Sequence, residues 1–163
     1  MHIYEARGLT ITHVHADSKF KCIQNSIRPA LLNLVAPGKH VSEVERSIRT
    51  IKERVRCMIH GLPYSTYPKL LIEACVTAAV KQLNAIPSKN GISQTMSPTT
   101  LLTGTQPVSY HNLVKMCFGA YAQVNVDNAI TNTTEARTTG GIALYPTDNA
   151  QGNWYFASLN TGR

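Results

Sequence analysis

The residues best suited to chemistry in this 163-residue chain are two carboxylates and a row of cations that follows one of them. Asp17 ends the stretch "LTITHVHAD", whose β-branched residues predict a strand over 9–17. Glu45 lies near the start of "HVSEVERSIRTIKERVR" (40–56), which predicts a helix. Carboxylates from two such elements can hold Mg²⁺, which prefers oxygen ligands. This is a pattern that metal-dependent phosphate chemistry requires.

The charges of the predicted helix are arranged by face. Four of them recur at i, i+4, i+7 and i+11 and so share one face: Glu45, Arg49, Lys52 and Arg56. That face borders an apolar stripe with a similar repeat, which predicts a core-facing side at Val44, Ile48, Ile51, Val55 and Met58 or Ile59. Glu45 is therefore expected to be half-sheltered, and the row Arg46, Arg49, Lys52 and Arg56 is our candidate for contact with a phosphate backbone.

A plainer interpretation explains the same residues. Ser42 followed by Glu45 is a capping box ahead of an apolar run. Glutamate in a first turn and arginine in a last turn suit the helix dipole. Asp17 followed by Ser18 is also a common start of a turn. A capped, solvated surface helix accounts for these charges without any ligand.

Composition narrows the class of protein. The chain has 16 Lys and Arg against 9 Asp and Glu, a net charge of +7. Between Asp17 and His60, nine basic residues face four acidic ones, a net of +5. Such a local excess favours a polyanionic partner, with nucleic acid ahead of a membrane surface. No apolar run approaches the roughly 20 residues that span a bilayer, and the stretch "MHIYEARGLT" lacks the apolar region of a signal peptide.

The four cysteines are far apart and form no C-x-x-C pair, so neither a zinc site nor a redox motif is indicated. Cys57 and Cys75 lie in apolar helical patterns, which predicts buried thiols. Reduced cysteines indicate an intracellular protein.

The remaining elements follow from capping and turn residues. Pro68 and Pro87 bound a helix over 69–86, and Ser97, Pro98 and Gly104 bound a short helix over 97–104. Residues 18–34 are ambiguous, and Pro29 is expected to break a short helix there. Three strand-like stretches (118–126, 140–146 and 153–159) predict a small antiparallel β module.

Four segments in order resemble the later half of a copia-type retrotransposon integrase: "HVHADSKF", "HVSEVERSIRTIKERVR", "NAIPSKNGISQTMSPTTLLTGTQPVSY" and "FGAYAQVNV…GGIALYP…GNWYFASLNTG". The resemblance covers nearly the whole chain from about Leu9. It implies an α/β fold, with a truncated ribonuclease H-like integrase core followed by a small antiparallel β module. Residues 1–90 would be the C-terminal part of the core, 91–115 a linker with the short helix, and 116–163 the β module.

The resemblance also implies roles for individual residues. In that family a D,D,E carboxylate triad holds Mg²⁺ or Mn²⁺. Asp17 matches the second Asp and Glu45 matches the Glu, so both are implied as catalytic and metal-binding residues. Arg49 and Lys52 match positions that face DNA in similar integrases.

Two departures from the family pattern limit what the chain is expected to do. No Asp precedes Asp17, so the first Asp of the triad is expected to be missing. The interval from Asp17 to Glu45 is also short for the family, which suggests a trimmed loop around "NLVAPGKH". The family's zinc-binding module is absent from the sequence. His13 and His15 share one face of the predicted strand, and such a pair is more often structural or incidental than a zinc site. The final "NTGR" resembles a hairpin turn without its returning strand, which predicts truncation.

We therefore expect a fragment of a retroelement polyprotein whose parent carries out Mg²⁺-dependent strand transfer into DNA. This chain is expected to be catalytically incomplete, and the metal need not bind in it. The alternative is a non-catalytic basic module that binds nucleic acid or oligomerises. Both interpretations predict DNA as partner, with a homo-oligomer as a further expectation and no membrane. The expected location is intracellular, and nuclear if the chain is functional.

Overall fold

The computed structural model describes residues 2–36, 41–89, 91–105, 115–125, 134, 136–149 and 151–162. The chain divides into two compact units, one made of Met1–Glu53 with Asn84–Pro107 and the other of Arg54–Leu83 with Val108–Arg163. In the described part, helices and strands are mixed, as predicted. In chain order they are α1 (His2–Glu5), β1 (His13–Asp17), a 3₁₀ helix (Ser18–Ile23), β2 (Leu31–Val35), α2 (Ser42–His60), α3 (Lys69–Ala85), α4 (Pro98–Thr103), β3 (Tyr121–Asn125), β4 (Thr138–Pro146) and β5 (Trp154–Ser158). Across those same residues, no helix combines the length and apolar character that a bilayer crossing requires.

Two parallel strands form the sheet of the first unit. β1 pairs with β2 from His13 opposite Leu31 to Asp17 opposite Val35. The crossover contains the 3₁₀ helix and meets the length of a dozen or more residues that a parallel connection needs. β1 is shorter than the strand predicted over 9–17. β2 occupies the end of the region 18–34, whose structure the sequence left ambiguous. The apolar run "LLNLV" suits a parallel strand as well as a helix, so periodicity alone could not identify it.

Helix α2 begins one residue earlier than the capping-box prediction requires. The Glu45 backbone N–H bonds to the Val41 carbonyl at 3.1 Å, which makes Val41 the cap residue and places Ser42 inside the first turn. Cap positions shift by one residue easily because helix ends fray. The loop predicted over 36–40 lies outside the described residues from position 37 onward.

The apolar stripe of α2 is less buried than its spacing predicts. Val44 keeps 51% and Ile48 45% of its surface exposed, and no described residue of the helix is fully buried. Ile51, Val55 and Ile59 are half-buried, so only the later part of the stripe has packing partners. The prediction of a continuous core-facing side was therefore wrong for the first two turns. A periodic pattern shows which face is apolar, and burial depends on what the fold places against it.

Helix α3 supplies much of the buried core of the second unit, and its predicted bounds are confirmed to within a residue. Five side chains at i, i+3, i+4, i+7 and i+8 are buried: Leu71, Ala74, Cys75, Ala78 and Ala79. Small residues dominate the stripe, so the backbone of neighbouring segments can approach closely. Cys75 is fully buried with its Sγ 4.0 Å from the Val55 carbonyl oxygen, whereas Cys57 is exposed. The burial prediction is thus confirmed for Cys75 and wrong for Cys57.

The predicted antiparallel β module is confirmed as a three-stranded sheet in the order β3-β4-β5. Ile142 and Ala143 are buried at its centre, and a register shift follows between Ala143 and Tyr145. The Lys81 ammonium of α3 donates to the Pro146 carbonyl at 2.9 Å and to the Asp148 carboxylate. These bonds connect α3 to the end of β4 inside the second unit.

Helix α4 matches its predicted caps. The Ser97 hydroxyl accepts the Thr100 backbone N–H at 3.2 Å, and Gly104 adopts φ 67° at the C-terminus. The sequence did not predict the role of Arg7, whose guanidinium donates to the carbonyls of Leu102 (3.2 Å) and Thr103. A cation on the last carbonyls of a helix also complements the helix dipole. Arg7 therefore ties the N-terminal segment to α4 within the first unit.

Thiol reactivity tests the burial of α3. Burial raises the pKa of the Cys75 thiol, so both access and ionisation slow its reaction with a disulfide reagent. We expect Cys22, Cys57 and Cys117 to react in the native protein and Cys75 to react only after denaturation. A colorimetric thiol titration with and without guanidinium measures this, and four thiols reacting at one native rate would contradict the packing of α3.

A glycine substitution tests the cap of α4. A Cβ at Gly104 would overlap the Arg7 guanidinium in addition to straining a left-handed backbone. Gly8 has a similar φ of 70° with no atom near the corresponding Cβ, so Gly8→Ala reports the strain alone, about 1–2 kcal/mol. We expect Gly104→Ala to lower the free energy of unfolding by more than Gly8→Ala does. In an Arg7→Ala background the excess should disappear, and an excess that persists in urea titrations would refute the Arg7 contact.

Candidate functional site

Asp17 occupies the position that a strand-end ligand requires. It is the last residue of β1, lies at the carboxyl end of the parallel pair, and has an exposed side chain. Its Oδ1 accepts a hydrogen bond from the Ser18 hydroxyl at 3.2 Å. The side chain does not cap the 3₁₀ helix that follows. The carboxylate is therefore open to a ligand from solvent.

Glu45 lies in the first turn of α2, as predicted, and belongs to the same unit as Asp17. Its side chain is exposed, so the prediction of a half-sheltered carboxylate was wrong. The cause is the exposure of Val44 and Ile48, which were expected to border it with a buried face. The expectation that the two carboxyl groups share one metal ion stays a prediction.

The donor chemistry of Asp17 and Glu45 suits Mg²⁺, which commonly binds one or two carboxylates together with waters and substrate phosphates. Among the described residues, no group of three or more His, Cys, Asp or Glu side chains is placed to hold a metal ion. In a site with one or two carboxylates, waters or phosphate oxygens supply the remaining ligands of Mg²⁺.

The cationic row of α2 lies on the surface. Helix α2 is continuous over 19 residues, and all four proposed contacts are exposed: Arg46, Arg49, Lys52 and Arg56. Within the described part of the chain, none of the four forms an ion pair. From Arg49 to Arg56 the helix rises about 10 Å at 1.5 Å per residue. Duplex DNA presents one phosphate per 3.4 Å of each strand, so three cations in that length can follow a phosphate backbone.

One surface recess is too small to hold a nucleotide. It lies in the second unit between α3 and β4–β5, lined in part by Lys81, Phe118, Tyr145 and Trp154. Its enclosed space has room for about one water molecule. The Lys81 ammonium also lies 5.3 Å from the centre of the Tyr145 ring, a cation–π contact. Lys81 thus has a structural role that its place in an apolar helical pattern did not reveal.

Comparison with known protein families, characterised proteins and solved structures finds no match to this chain. The resemblance to copia-type integrases accordingly remains an expectation from its four sequence segments. The structure independently gives the location of the candidate groups: Asp17 at a strand end, Glu45 in a helix first turn, and four cations exposed along that helix.

Proposed function

We propose that this chain binds nucleic acid through the cationic row of α2 and is part of an integrase-like polynucleotidyl transferase. The observation that carries the proposal is the row itself: Arg46, Arg49, Lys52 and Arg56 are exposed along one continuous helix. Exposed cations can bind nucleic acid without a cavity, since Coulomb attraction and counterion release supply the affinity.

The proposed catalytic role belongs to Asp17 and Glu45. In open α/β sheets, ligand sites form outside the carboxyl ends of parallel strands, where Asp17 lies. Mg²⁺ or Mn²⁺ bound there would supply activation of an attacking hydroxyl and stabilisation of the leaving oxygen. Asp17 and Glu45 would hold that ion, while Arg49 and Lys52 would hold the phosphate backbone along α2.

The fold part of the proposal is a ribonuclease H-like core. Its support is a parallel strand pair with an aspartate at the carboxyl end, followed by a helix with a glutamate in its first turn. The three-stranded antiparallel sheet would then be the module that follows the core. The proposal also places a functional protein in the nucleus.

A second candidate function is a non-catalytic module that binds nucleic acid and associates with itself. The exposure of Val44 and Ile48 on α2 favours it, because exposed apolar side chains at i and i+4 can pair with another helix. Measurement of the oligomeric state with and without DNA distinguishes this candidate. A monomer at all concentrations would argue against it.

Salt dependence tests the nucleic-acid surface. Each phosphate neutralised on duplex DNA adds about 0.9 to the slope of log K against log salt concentration. We expect Arg49→Gln with Lys52→Gln to flatten that slope by up to about two units, because two phosphate contacts are removed. Glutamine is a good helix former, so circular dichroism should show α2 intact.

A matched control removes the same charge elsewhere. Lys69 is exposed at the start of α3 and Lys115 is exposed before β3, so Lys69→Gln with Lys115→Gln also lowers the net charge by two. This pair should leave the slope nearly unchanged, and Glu45→Gln without metal should preserve or strengthen binding. Equal slopes in the two double variants would assign the binding to net charge and refute the role of α2.

Catalysis by the isolated chain should be absent. With two matching carboxylates and no Asp before Asp17, we expect no Mg²⁺- or Mn²⁺-dependent joining of DNA ends by the purified protein. The assay follows transfer of a labelled DNA end into a target duplex. Joining that occurs and is lost in Asp17→Asn would show that a third ligand is supplied from elsewhere.

A further inference from the structure

The exposed face of β1 carries two histidines that the proposed function does not use. His13 and His15 are two residues apart on one strand, and both side chains are exposed, while Val14 between them is half-buried. Residues at i and i+2 of a strand lie on the same face with Cα atoms about 6.5–7 Å apart. Two imidazoles at that separation can converge on one metal ion with bonds of about 2.0–2.1 Å.

The hydrogen bonds of both rings involve the same nitrogen. Nδ1 of His13 lies 3.1 Å from the Thr12 hydroxyl oxygen. Nδ1 of His15 lies 3.4 Å from Nδ2 of Asn33, the residue paired with it on β2. A metal-bound histidine typically donates its second ring N–H to such a neighbour, which fixes the tautomer and the ring orientation. The Thr12 hydroxyl can accept the Nδ1–H of His13. A 180° turn of the Asn33 amide puts Oδ1 in the place of Nδ2, and with that orientation the Nδ1–H of His15 is also accepted and Nε2 of both rings is left for a metal.

We propose that His13 and His15 chelate a divalent first-row transition metal through their Nε2 atoms on the exposed face of β1. Thr12 is the positioning residue for His13. Asn33, with its amide turned so that Oδ1 accepts the Nδ1–H, is the positioning residue for His15. Imidazole nitrogen selects ions such as Ni²⁺ and Zn²⁺, in contrast to the oxygen ligands that Mg²⁺ requires.

Water completes the coordination of this chelate. In the described residues, no third His, Cys, Asp or Glu joins the pair in a metal-binding group. Asp17 lies on the same face, two residues beyond His15. Its carboxylate would be an additional ligand and is not needed for the histidine chelate. The site is therefore open to solvent and binds its metal reversibly, unlike a closed four-ligand structural zinc site.

Calorimetric titration of the whole chain, without a polyhistidine tag, tests the chelate with Ni²⁺ and Zn²⁺ as separate probes. We expect one ion per chain. His13→Gln and His15→Gln should each weaken binding at least about tenfold, because one imidazole no longer chelates, and Asn33→Leu should weaken it about tenfold through loss of orientation. His60→Gln, at an exposed histidine on α2, should leave the affinity unchanged. Excess Mg²⁺ should not displace Ni²⁺, which separates this site from the proposed carboxylate site.

Two further measurements separate the histidines from other ligands. The triple variant Cys22→Ser, Cys57→Ser and Cys117→Ser, which removes the exposed thiols, should retain the affinity. Long-range ¹H–¹⁵N spectra of the imidazoles should show Zn²⁺ shifting Nε2 of His13 and His15. Affinity that survives in the His13/His15 double variant, or that is lost with the three thiols, would overturn the proposal. Unchanged affinity in Asn33→Leu, with the fold intact by circular dichroism, would overturn the role of Asn33.

Discussion

Parallel hydrogen bonding between β1 and β2 determines which side chains of the first unit reach solvent. Successive residues of a strand point to opposite faces, so the register from His13–Leu31 to Asp17–Val35 exposes His13, His15 and Asp17 together. A slip of one residue would instead expose Val14 and Ala16 and turn the charged groups inward. The half-buried Val14 and Ala16 oppose such a slip because they would lose their apolar contacts. The carboxylate proposal and the histidine proposal therefore depend on the same backbone hydrogen bonds.

The function proposed for helix α2 needs no enclosed site. Its cations are exposed, and the recess in the second unit admits only about one water molecule. Exposed charges act over roughly a Debye length, about 8 Å at physiological ionic strength, so they attract a polyanion without fixing its sequence. Any sequence preference would need contacts to base edges, whereas the contacts proposed for the row on α2 are to phosphates. The proposed binding to nucleic acid is therefore non-specific and salt-sensitive.

Local rules predicted local structure well. The caps of α4 at Ser97 and Gly104 and the prolines that bound α3 depend on neighbouring residues, and these elements lie where they were predicted. Features that depend on distant segments were missed: strand β2, the exposure of Val44 and Ile48, and the Arg7 contact with α4, which joins residues about 95 positions apart in sequence. The candidate site shows the same difference between local features and features that depend on distant segments. The strand end of Asp17 and the helix turn of Glu45 were predictable from spacing, whereas their exposure depends on packing that spacing does not encode.

The β1 face carries the residues of both proposed metal sites, and this has consequences for metal-dependent measurements. Oxygen from Asp17 suits Mg²⁺, whereas nitrogen from His13 and His15 suits Zn²⁺ or Ni²⁺. A transition-metal ion on the histidines would add two positive charges to the face that carries Asp17, whose Cα lies about 6.5–7 Å from that of His15. That charge offsets the Asp17 carboxylate and attracts phosphate, so Zn²⁺ would strengthen DNA binding without any catalytic role. An effect of Zn²⁺ that His13→Gln and His15→Gln abolish therefore reports on the histidine pair, and an effect of Mg²⁺ that Asp17→Asn abolishes reports on the carboxylates.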